Sequence, residues 1–265
     1  MKNIAKEIRA LTIECIASIG QGHIGGSLSI VDALTVLYYK HMNIDPSNPK
    51  KEGRDRLVVS KGHAGPGVYA TLAHKGYFPK EELSTLNKIG TNLPSHCDMN
   101  KTPGVDMTTG SLGQGLSCAI GLALGSKIKE DNAYIYAIIG DGESQEGQIW
   151  EAAFFASHKK LDNLIVFLDY NKMQLDGTLE EVNDSGNMYD KFKSFGFDTY
   201  SIDGHNIDEI IATIEKAKTV KGMPHMIVLN TIKGKGVSFA EAAKANSHSM
   251  PISKEALEEA IKELS

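Results

Sequence analysis

Two apolar runs decide the fold of this chain, and the first reads YIYAIIGDG over residues 134–142. The second reads LIVFLDYN over residues 164–171. Neither run alternates apolar and polar residues, which is typical of strands buried on both faces of a parallel sheet. The intervening residues 147–160 have a helix-forming composition. Together the three segments predict a strand, a crossover helix and a second, parallel strand.

The same pattern extends toward both ends of the chain. Further strands are predicted over residues 56–60, 197–202 and 226–231, and helices over residues 3–19, 27–41, 208–218 and 253–264. No low-complexity linker interrupts the sequence, and no internal repeat is visible. We therefore expect a single domain over residues 1–265, with an α/β fold, a doubly wound, mostly parallel sheet and helices on both faces.

Composition and charge exclude several classes of function. A net charge of −5 provides no basic face for nucleic acid. The three cysteines, Cys15, Cys97 and Cys118, are odd in number and widely spaced, unlike a disulfide framework or a zinc site. Residues 107–126 carry no charge, but glycines and polar residues interrupt them, which favours a glycine-rich turn opening a buried helix over a membrane span. We expect a cytoplasmic protein with no membrane partner and no secretion signal.

Two loops are expected to meet at the carboxyl edge of the sheet, where open parallel sheets bind ligands. Asp141 follows the first strand between Gly140 and Gly142, which allow a phosphate to approach the backbone. Asn171 and the backbone carbonyl of Met173 follow the second strand. These carboxylate, amide and carbonyl oxygens suit Mg²⁺ bound to a diphosphate, with Ca²⁺ or Mn²⁺ as alternatives. A Gly-Asp-Gly turn alone is common, so the prediction depends on its pairing with Asn171.

Four of the nine histidines lie in loops marked by glycine, serine or proline, which a doubly wound sheet could bring to one cleft. They are His23, His63, His96 and His248. Imidazoles can bind sugar hydroxyls and move protons to and from a reacting oxygen. We therefore predict these four as catalytic residues.

The other histidines and three lysines have weaker patterns. We expect His41, His74, His158 and His225 to be surface or hydrogen-bonded core residues, because each lies in or beside a predicted element. His205 follows a strand and either has a functional role or belongs to a helix-capping turn. The sequence does not distinguish between two roles for Lys61, Lys233 and Lys235, which are neutralisation of a phosphate and simple exposure to solvent.

The motif that begins at residue 140 resembles the cofactor signature of the transketolase family. It reads GDGESQEG over residues 140–147, WEA over 150–152, DYN over 169–171 and DG over 176–177. The loops GHIGG (22–26), SKGH (60–63), SHCD (95–98) and NSH (246–248) resemble the histidine loops of the family. The turn GSLGQG (110–115) resembles the one that contacts the diphosphate and the aminopyrimidine. The resemblance covers essentially the whole chain, in order.

This resemblance implies a cofactor, thiamine diphosphate with a divalent metal, and the transfer of a two-carbon ketol unit from a ketose phosphate to an aldose phosphate. His63 and His248 would touch the diphosphate or the reacting hydroxyl, while His23 and His96 would hold substrate oxygens. The implied cofactor-binding residues are His63, Leu112, Gly113, Gly140, Asp141, Gly142, Glu143, Asn171 and His248. Glu146 would have a structural or proton-network role near a subunit contact.

The resemblance also implies a partner. In this family the glutamate that activates the aminopyrimidine comes from a second, pyrimidine-binding domain, and the chain ends at Ser265, before such a domain. We expect a C-terminal transketolase subunit to supply it, in an α₂β₂ assembly. Ser111 stands where many relatives have proline, so the resemblance does not identify the donor and acceptor sugars. Two alternatives are another thiamine diphosphate enzyme, such as a deoxyxylulose-phosphate synthase, and a non-catalytic cofactor-binding module.

Overall fold

Buried strands follow the predicted apolar runs in the computed structural model, which describes residues 1–265. In chain order, the strands are β1 (Gln21–Gly22), β2 (Arg56–Val59), β3 (Ile135–Gly140), β4 (Leu164–Tyr170), β5 (Asp198–Asp203), β6 (His225–Asn230) and β7 (Met250–Pro251). Strands β2 to β6 form one parallel sheet in the order β2-β3-β4-β6-β5, whereas β1 pairs with β7 in a separate antiparallel ribbon. Gly140 pairs with Asp169, and Asp169 pairs with Leu229, so β3, β4 and β6 end at nearly the same level.

The helices connect these strands and cover both faces of the sheet. They are α1 (Lys2–Ala17), α2 (Gly25–Leu28), α3 (Val31–Val36), α4 (Gly65–Lys75), α5 (Gln114–Lys129), α6 (Gly147–His158), α7 (Leu179–Val182), α8 (Met188–Ser194), α9 (Ile207–Thr219), α10 (Ser238–Ala242) and α11 (Lys254–Leu264). None of them combines the length and the apolar character that crossing a membrane requires.

Successive residues of each central strand enter two different cores. Tyr136 and Ile138 of β3 pack with α1, α3, α4 and α9, whereas Ala137 and Ile139 pack with α5, α6 and α8. A strand with apolar side chains on both faces can bury them only if helices cover both sides of the sheet. The predicted doubly wound α/β fold is therefore confirmed. A smaller third cluster joins α1 to α11.

Two sequence predictions about helices were wrong. The helix expected over residues 27–41 is divided into α2, α3 and a π-helical turn, Leu37–His41. The glycine-marked loop expected at His63 does not extend past Ala64, because the unpredicted helix α4 begins at Gly65, has Pro66 in its first turn and ends at Gly76 in the left-handed conformation (φ 96°). A Cβ on Gly67 would lie 2.7 Å from the carbonyl oxygen of Ser27, so this glycine allows two helices to pack closely.

Candidate active site

A cavity of about 350 Å³ opens at the carboxyl edge of the sheet. Among the residues that line it are His23, Lys61, His63, His96, Leu112, Gly140, Asp141, Gly142, Glu143, Asp169, Asn171, Met173, Gln174, Lys233 and His248. The cavity therefore brings together every site residue predicted from the sequence except Gly113.

The four predicted histidines come from distant parts of the chain and form one cluster. The ring centroids of His63 and His248 are 4.9 Å apart. The His23 ring lies 5.3 Å from His63, 5.4 Å from His248 and 5.8 Å from His96. Four imidazoles within one small cavity can contact several oxygens of one bound sugar.

The protonation of this cluster follows from its surroundings. Burial, with the nearby charge of Lys61, lowers the pKa of His63 well below its ordinary value. Burial, followed by Lys233, lowers the pKa of His248 to about 4. The pKa of His23 is lowered by burial and then by His96 and Lys233. These three rings are neutral near pH 7 and can each accept a hydrogen bond or a proton.

Asp141 occupies the turn between β3 and α6 and is buried. Its Oδ1 accepts the N–H of Gly142 at 2.8 Å, and its Oδ2 accepts the N–H of Lys172 at 2.5 Å. Burial, followed by the charge of Asp169, raises the pKa of Asp141 to about 7. A cation bound beside this buried carboxylate would stabilise its ionised form.

Asn171 is oriented by Asp169. Its Nδ2 donates to Oδ2 of Asp169 at 3.0 Å, while its Oδ1 accepts the N–H of Met173 at 3.1 Å. With the amide nitrogen turned toward Asp169, the side-chain oxygen is left as the group that can bind a cation. No three His, Cys, Asp or Glu side chains converge as a metal site, so any cation here depends on amide and carbonyl oxygens as well as Asp141.

The carboxylate of Glu143 connects three segments beside the cavity. It accepts hydrogen bonds from the hydroxyl of Ser60, from the N–H of Gly113 at 2.7 Å and from the N–H of Gly140 at 2.9 Å. Gly113 consequently lies behind Glu143, with its N–H directed at that carboxylate. Glu143 lines the cavity, but its two oxygens hold the protein's own loops together.

The three lysines whose roles the sequence did not decide differ in their positions. Lys61 is buried, and its ammonium lies 2.6 Å from the carboxylate of Asp169. Lys233 is 4% exposed, and its Nζ lies 3.5 Å from both the carbonyl oxygen of Met173 and Nδ1 of His248. Burial lowers the pKa of Lys233 to about 8. Lys235 is at the surface, 3.9 Å from Glu241. Lys233 is therefore the lysine of the cavity that has no carboxylate partner within 4 Å.

Sequence reasoning missed the role of Asp169. This residue is wholly buried and accepts hydrogen bonds from Ser29 at 2.7 Å, from Thr231 at 2.5 Å and from Asn171, in addition to its pairing with Lys61. A signal was present, because a carboxylate closes the apolar run LIVFLD and must find partners if it is buried.

The remaining histidines with weak patterns and Glu146 lie outside the cavity. His74 bonds to Tyr39 and Glu7, and His225 bonds to Asp198 and to the carbonyl oxygen of Asp162. His158 is exposed, and His41 is partly buried with no partner for Nε2. The side chain of Glu146 is exposed at the start of α6 and makes no hydrogen bond.

The whole chain, residues 1–265, matches a family model described as "Transketolase, thiamine diphosphate binding domain". The chain belongs to the transketolase family. One relative, "6-deoxy-6-sulfo-D-fructose transketolase subunit SqwG" of Clostridium sp. (strain MSTE9), is 56% identical over 264 residues, which cover 100% of this chain and 96% of that protein. Another, a subunit of the apulose-4-phosphate transketolase of Phocaeicola vulgatus, is 38% identical, and the match covers 97% of this chain and 91% of that protein.

Solved transketolases have the same fold in this region. A transketolase variant from Pichia stipitis superimposes with a TM-score of 0.92 at 30% identity, over 98% of this chain and 40% of that one. The Campylobacter jejuni enzyme gives a TM-score of 0.91 at 32% identity, over 99% of this chain and 42% of that one. The chain thus spans well under half the length of these solved transketolases. Its predicted family, its thiamine diphosphate cofactor and its transferase class are confirmed.

Proposed function

We propose that this chain is the thiamine-diphosphate-binding subunit of a two-chain transketolase, in which residues 1–265 act as one domain. The reaction is the transfer of a two-carbon ketol unit from a ketose to an aldose. The observation that carries this proposal is the single cavity in which four histidines lie beside the loops of Asp141 and Asn171. Subunit names among relatives that align over nearly their full length support the two-chain form.

The residues at the Asp141 loop fit a metal diphosphate. Asp141, the Oδ1 of Asn171 and the carbonyl oxygen of Met173 offer the hard oxygens that Mg²⁺ prefers, and Ca²⁺ or Mn²⁺ would accept the same set. Gly140 and Gly142 leave the backbone open to phosphate oxygens, and Lys233 adds a positive charge. When bound, thiamine diphosphate supplies the carbanion stabilisation that breaks and forms a carbon–carbon bond beside a ketone.

The histidine cluster would handle the substrate's hydroxyl groups. Because His23, His63 and His248 have lowered pKa values, they are unprotonated near pH 7 and can accept a proton from a sugar hydroxyl. The same rings can return that proton once the bond has formed. His96, whose ring lies 5.8 Å from His23, would hold a further oxygen of the sugar.

The proposed partner is a chain with the pyrimidine-binding domain, in an α₂β₂ complex. An apolar surface suited to such a contact lies on α6, where the consecutive side chains of Phe154 and Phe155 are 67% and 42% exposed. Large apolar side chains grouped on a surface commonly mark an interface between proteins. We name this surface, Phe154 with Phe155, the α6 face.

The relatives favour two kinds of sugar donor. A ketose phosphate is the donor that the family resemblance implies. The relative at 56% identity is named for 6-deoxy-6-sulfo-D-fructose, which makes a ketose with a terminal sulfonate a second candidate. Both carry an anionic group at the end remote from the transferred unit, so the same cavity could serve either.

The test is a ketol-transfer assay with the chain and a pyrimidine-binding transketolase chain from a neighbouring reading frame. Xylulose 5-phosphate and 6-deoxy-6-sulfofructose are compared as donors, with ribose 5-phosphate as acceptor, in thiamine diphosphate and Mg²⁺. We expect transfer only when both chains are present. Full transfer by this chain alone would rule out the two-chain form.

Two other outcomes would support the alternatives. Formation of deoxyxylulose phosphate from pyruvate and glyceraldehyde 3-phosphate would indicate a synthase. Cofactor binding without any transfer, in the presence of the correct partner, would indicate a non-catalytic module.

A further inference from the structure

A buried hydrogen-bonded network lies behind the cavity, between the N-terminal helices and the loops that follow β5 and β6. Asp32 of α3 accepts two hydrogen bonds from the Arg9 guanidinium of α1, at 2.5 and 3.2 Å. Oδ2 of Asp32 also lies 2.8 Å from Nδ1 of His205. Arg9 and Asp32 are both buried. Nothing in the proposed chemistry uses these three residues.

The second ring nitrogen of His205 fixes its protonation. The backbone N–H of Ile232 donates to Nε2 of His205 at 2.9 Å. Only an unprotonated nitrogen can accept that bond, so the ring is neutral and carries its proton on Nδ1. Nδ1 therefore donates to Asp32. His205 links a buried carboxylate to the backbone of the residue that precedes Lys233.

The loop of residues 231–236, which carries Lys233, is held at several points. On one side, Thr231 donates to Asp169 at 2.5 Å. On the other side, Nε of Arg9 donates to the carbonyl oxygen of Lys235 at 3.0 Å. The N–H of Gly234 donates to the carbonyl oxygen of Gly25 at 3.1 Å. Two members of the network therefore bond to the chain on either side of Lys233. His205 accepts the N–H of Ile232, and Arg9 donates to the carbonyl oxygen of Lys235.

We propose that His205 is a positioning residue: with Asp32 and Arg9, it braces residues 231–236 so that the ammonium of Lys233 is held in the cavity. A lysine ammonium is a point charge on a flexible stem, so its location depends on how firmly its backbone is held. The benefit to ligand binding rests on the proposed function, in which Lys233 faces the diphosphate. The brace itself is a property of the chain without ligand.

The first experiment measures, without ligand, how firmly residues 231–236 are held. Hydrogen exchange at residues 231–236 and acylation of Lys233 by an amine-reactive ester are compared in the unsubstituted chain, His205→Leu and His205→Gln. Leucine removes both hydrogen bonds, so we expect exchange of the Ile232 amide and labelling of Lys233 to rise by about tenfold. Glutamine retains a donor and an acceptor and should restore most of the protection.

His74→Leu is the matched control for this experiment. The His74 ring also makes two side-chain hydrogen bonds, to Tyr39 at 2.5 Å and to Glu7 at 2.7 Å, but it does not line the cavity. This variant should leave residues 231–236 protected. Unchanged exchange and labelling in His205→Leu, or an equal rise in His74→Leu, would overturn the proposal.

The second experiment is a double-mutant cycle on the affinity for thiamine diphosphate with Mg²⁺, measured by calorimetry. We expect His205→Leu to weaken binding by about tenfold when Lys233 is present and by less than about twofold in the Lys233→Met background. Equal weakening in both backgrounds would show that His205 does not act through Lys233. Failure of the unsubstituted chain to bind even in complex with the pyrimidine-binding partner would count against the proposed cofactor role, and the exchange experiment would still test whether His205 holds residues 231–236.

Discussion

The ammonium of Lys61 lies 2.6 Å from the carboxylate of Asp169, and the two side chains are only 3% and 0% exposed. Burial acts to raise the pKa of Asp169, but the Lys61 charge and the hydrogen bonds from Lys61, Thr231 and Ser29 outweigh it and hold that pKa below its usual value. Asp169 in turn orients the amide of Asn171. A buried ion pair therefore supports the side of the cavity where the metal is proposed.

Removing one member of this pair should destabilise the protein more than removing both. Lys61→Met leaves the Asp169 carboxylate buried without its cation, and we expect a loss of about 3–5 kcal/mol in the free energy of unfolding, measured in urea. The double variant Lys61→Met with Asp169→Leu should recover part of that loss.

The surface pair of Lys127 and Asp162, also 2.6 Å apart, is the control for that measurement. Lys127→Met should change stability by about 1 kcal/mol or less, because water screens an exposed pair. Similar losses for Lys61→Met and Lys127→Met would contradict the role assigned to burial.

The sheet and the two ligand loops could be predicted from the sequence because their signals are local. An apolar run such as residues 134–139 predicts a buried strand without reference to any other part of the chain. The carboxyl ends of parallel strands then meet at one edge of the sheet. Helix α4 could not be predicted in this way. Its glycines suggest a loop. The reason for Gly67 is the close contact with the backbone of Ser27, which only the three-dimensional structure shows.

The supporting contacts of the site depend on pairs of residues far apart in sequence. Asp169 bonds to Ser29 and Thr231, which are 140 and 62 positions away. His205 reaches Asp32 across 173 positions. No spacing rule connects such residues, so the sequence predicted which side chains line the cavity but not which ones hold them in place.

Asp141→Asn should weaken metal-dependent binding of thiamine diphosphate. The substitution removes the one carboxylate in the proposed oxygen set, and we expect a loss of affinity of at least about tenfold, measured by calorimetry with Mg²⁺. Asp176→Asn is the matched control, because Asp176 is exposed in the neighbouring loop and its substitution makes the same change in charge. Chelation followed by addition of Mg²⁺, Ca²⁺ or Mn²⁺ would identify the metal. Equal affinities in the two variants would exclude Asp141 as a ligand.

Acid should destabilise the protein in part through His248. Its pKa is lowered from 6.5 to about 4 in the folded protein, so the unfolded chain takes up the proton first as the pH falls. The stabilising contribution is complete above about pH 6.5 and is lost as the pH falls toward 4. Urea unfolding between pH 7 and 4.5 should show this slope, and His248→Asn should reduce it. An NMR titration that placed the His248 pKa near 6.5 would refute this explanation.

Phe154→Asp should weaken the complex with the partner while leaving the isolated chain folded. Phe154 lies on the α6 face, and its ring centroid is 4.7 Å from that of Phe195, but most of its surface is exposed. A charge at the centre of an apolar interface should reduce affinity by at least about tenfold, as measured by sedimentation. Met223→Asp, on the turn before β6, is the control. If both variants assemble normally, the partner binds elsewhere.

Two glycines on α5 should respond in opposite ways to the same substitution. A Cβ on Gly115 would lie 2.5 Å from Oγ and 2.7 Å from Cα of Ser60, whereas a Cβ on Gly121 would meet no atom within 4 Å. Gly115→Ala should therefore destabilise the chain by about 1–3 kcal/mol through overpacking. Gly121→Ala should stabilise it by about 0.5–1 kcal/mol, because alanine favours the helix. Gly115 is the second residue of α5, so helix propensity should favour alanine less there than at Gly121, and a loss of stability in Gly115→Ala reports the Ser60 contact. Stabilisation by both substitutions in urea unfolding would show that α5 does not pack against Ser60 this closely.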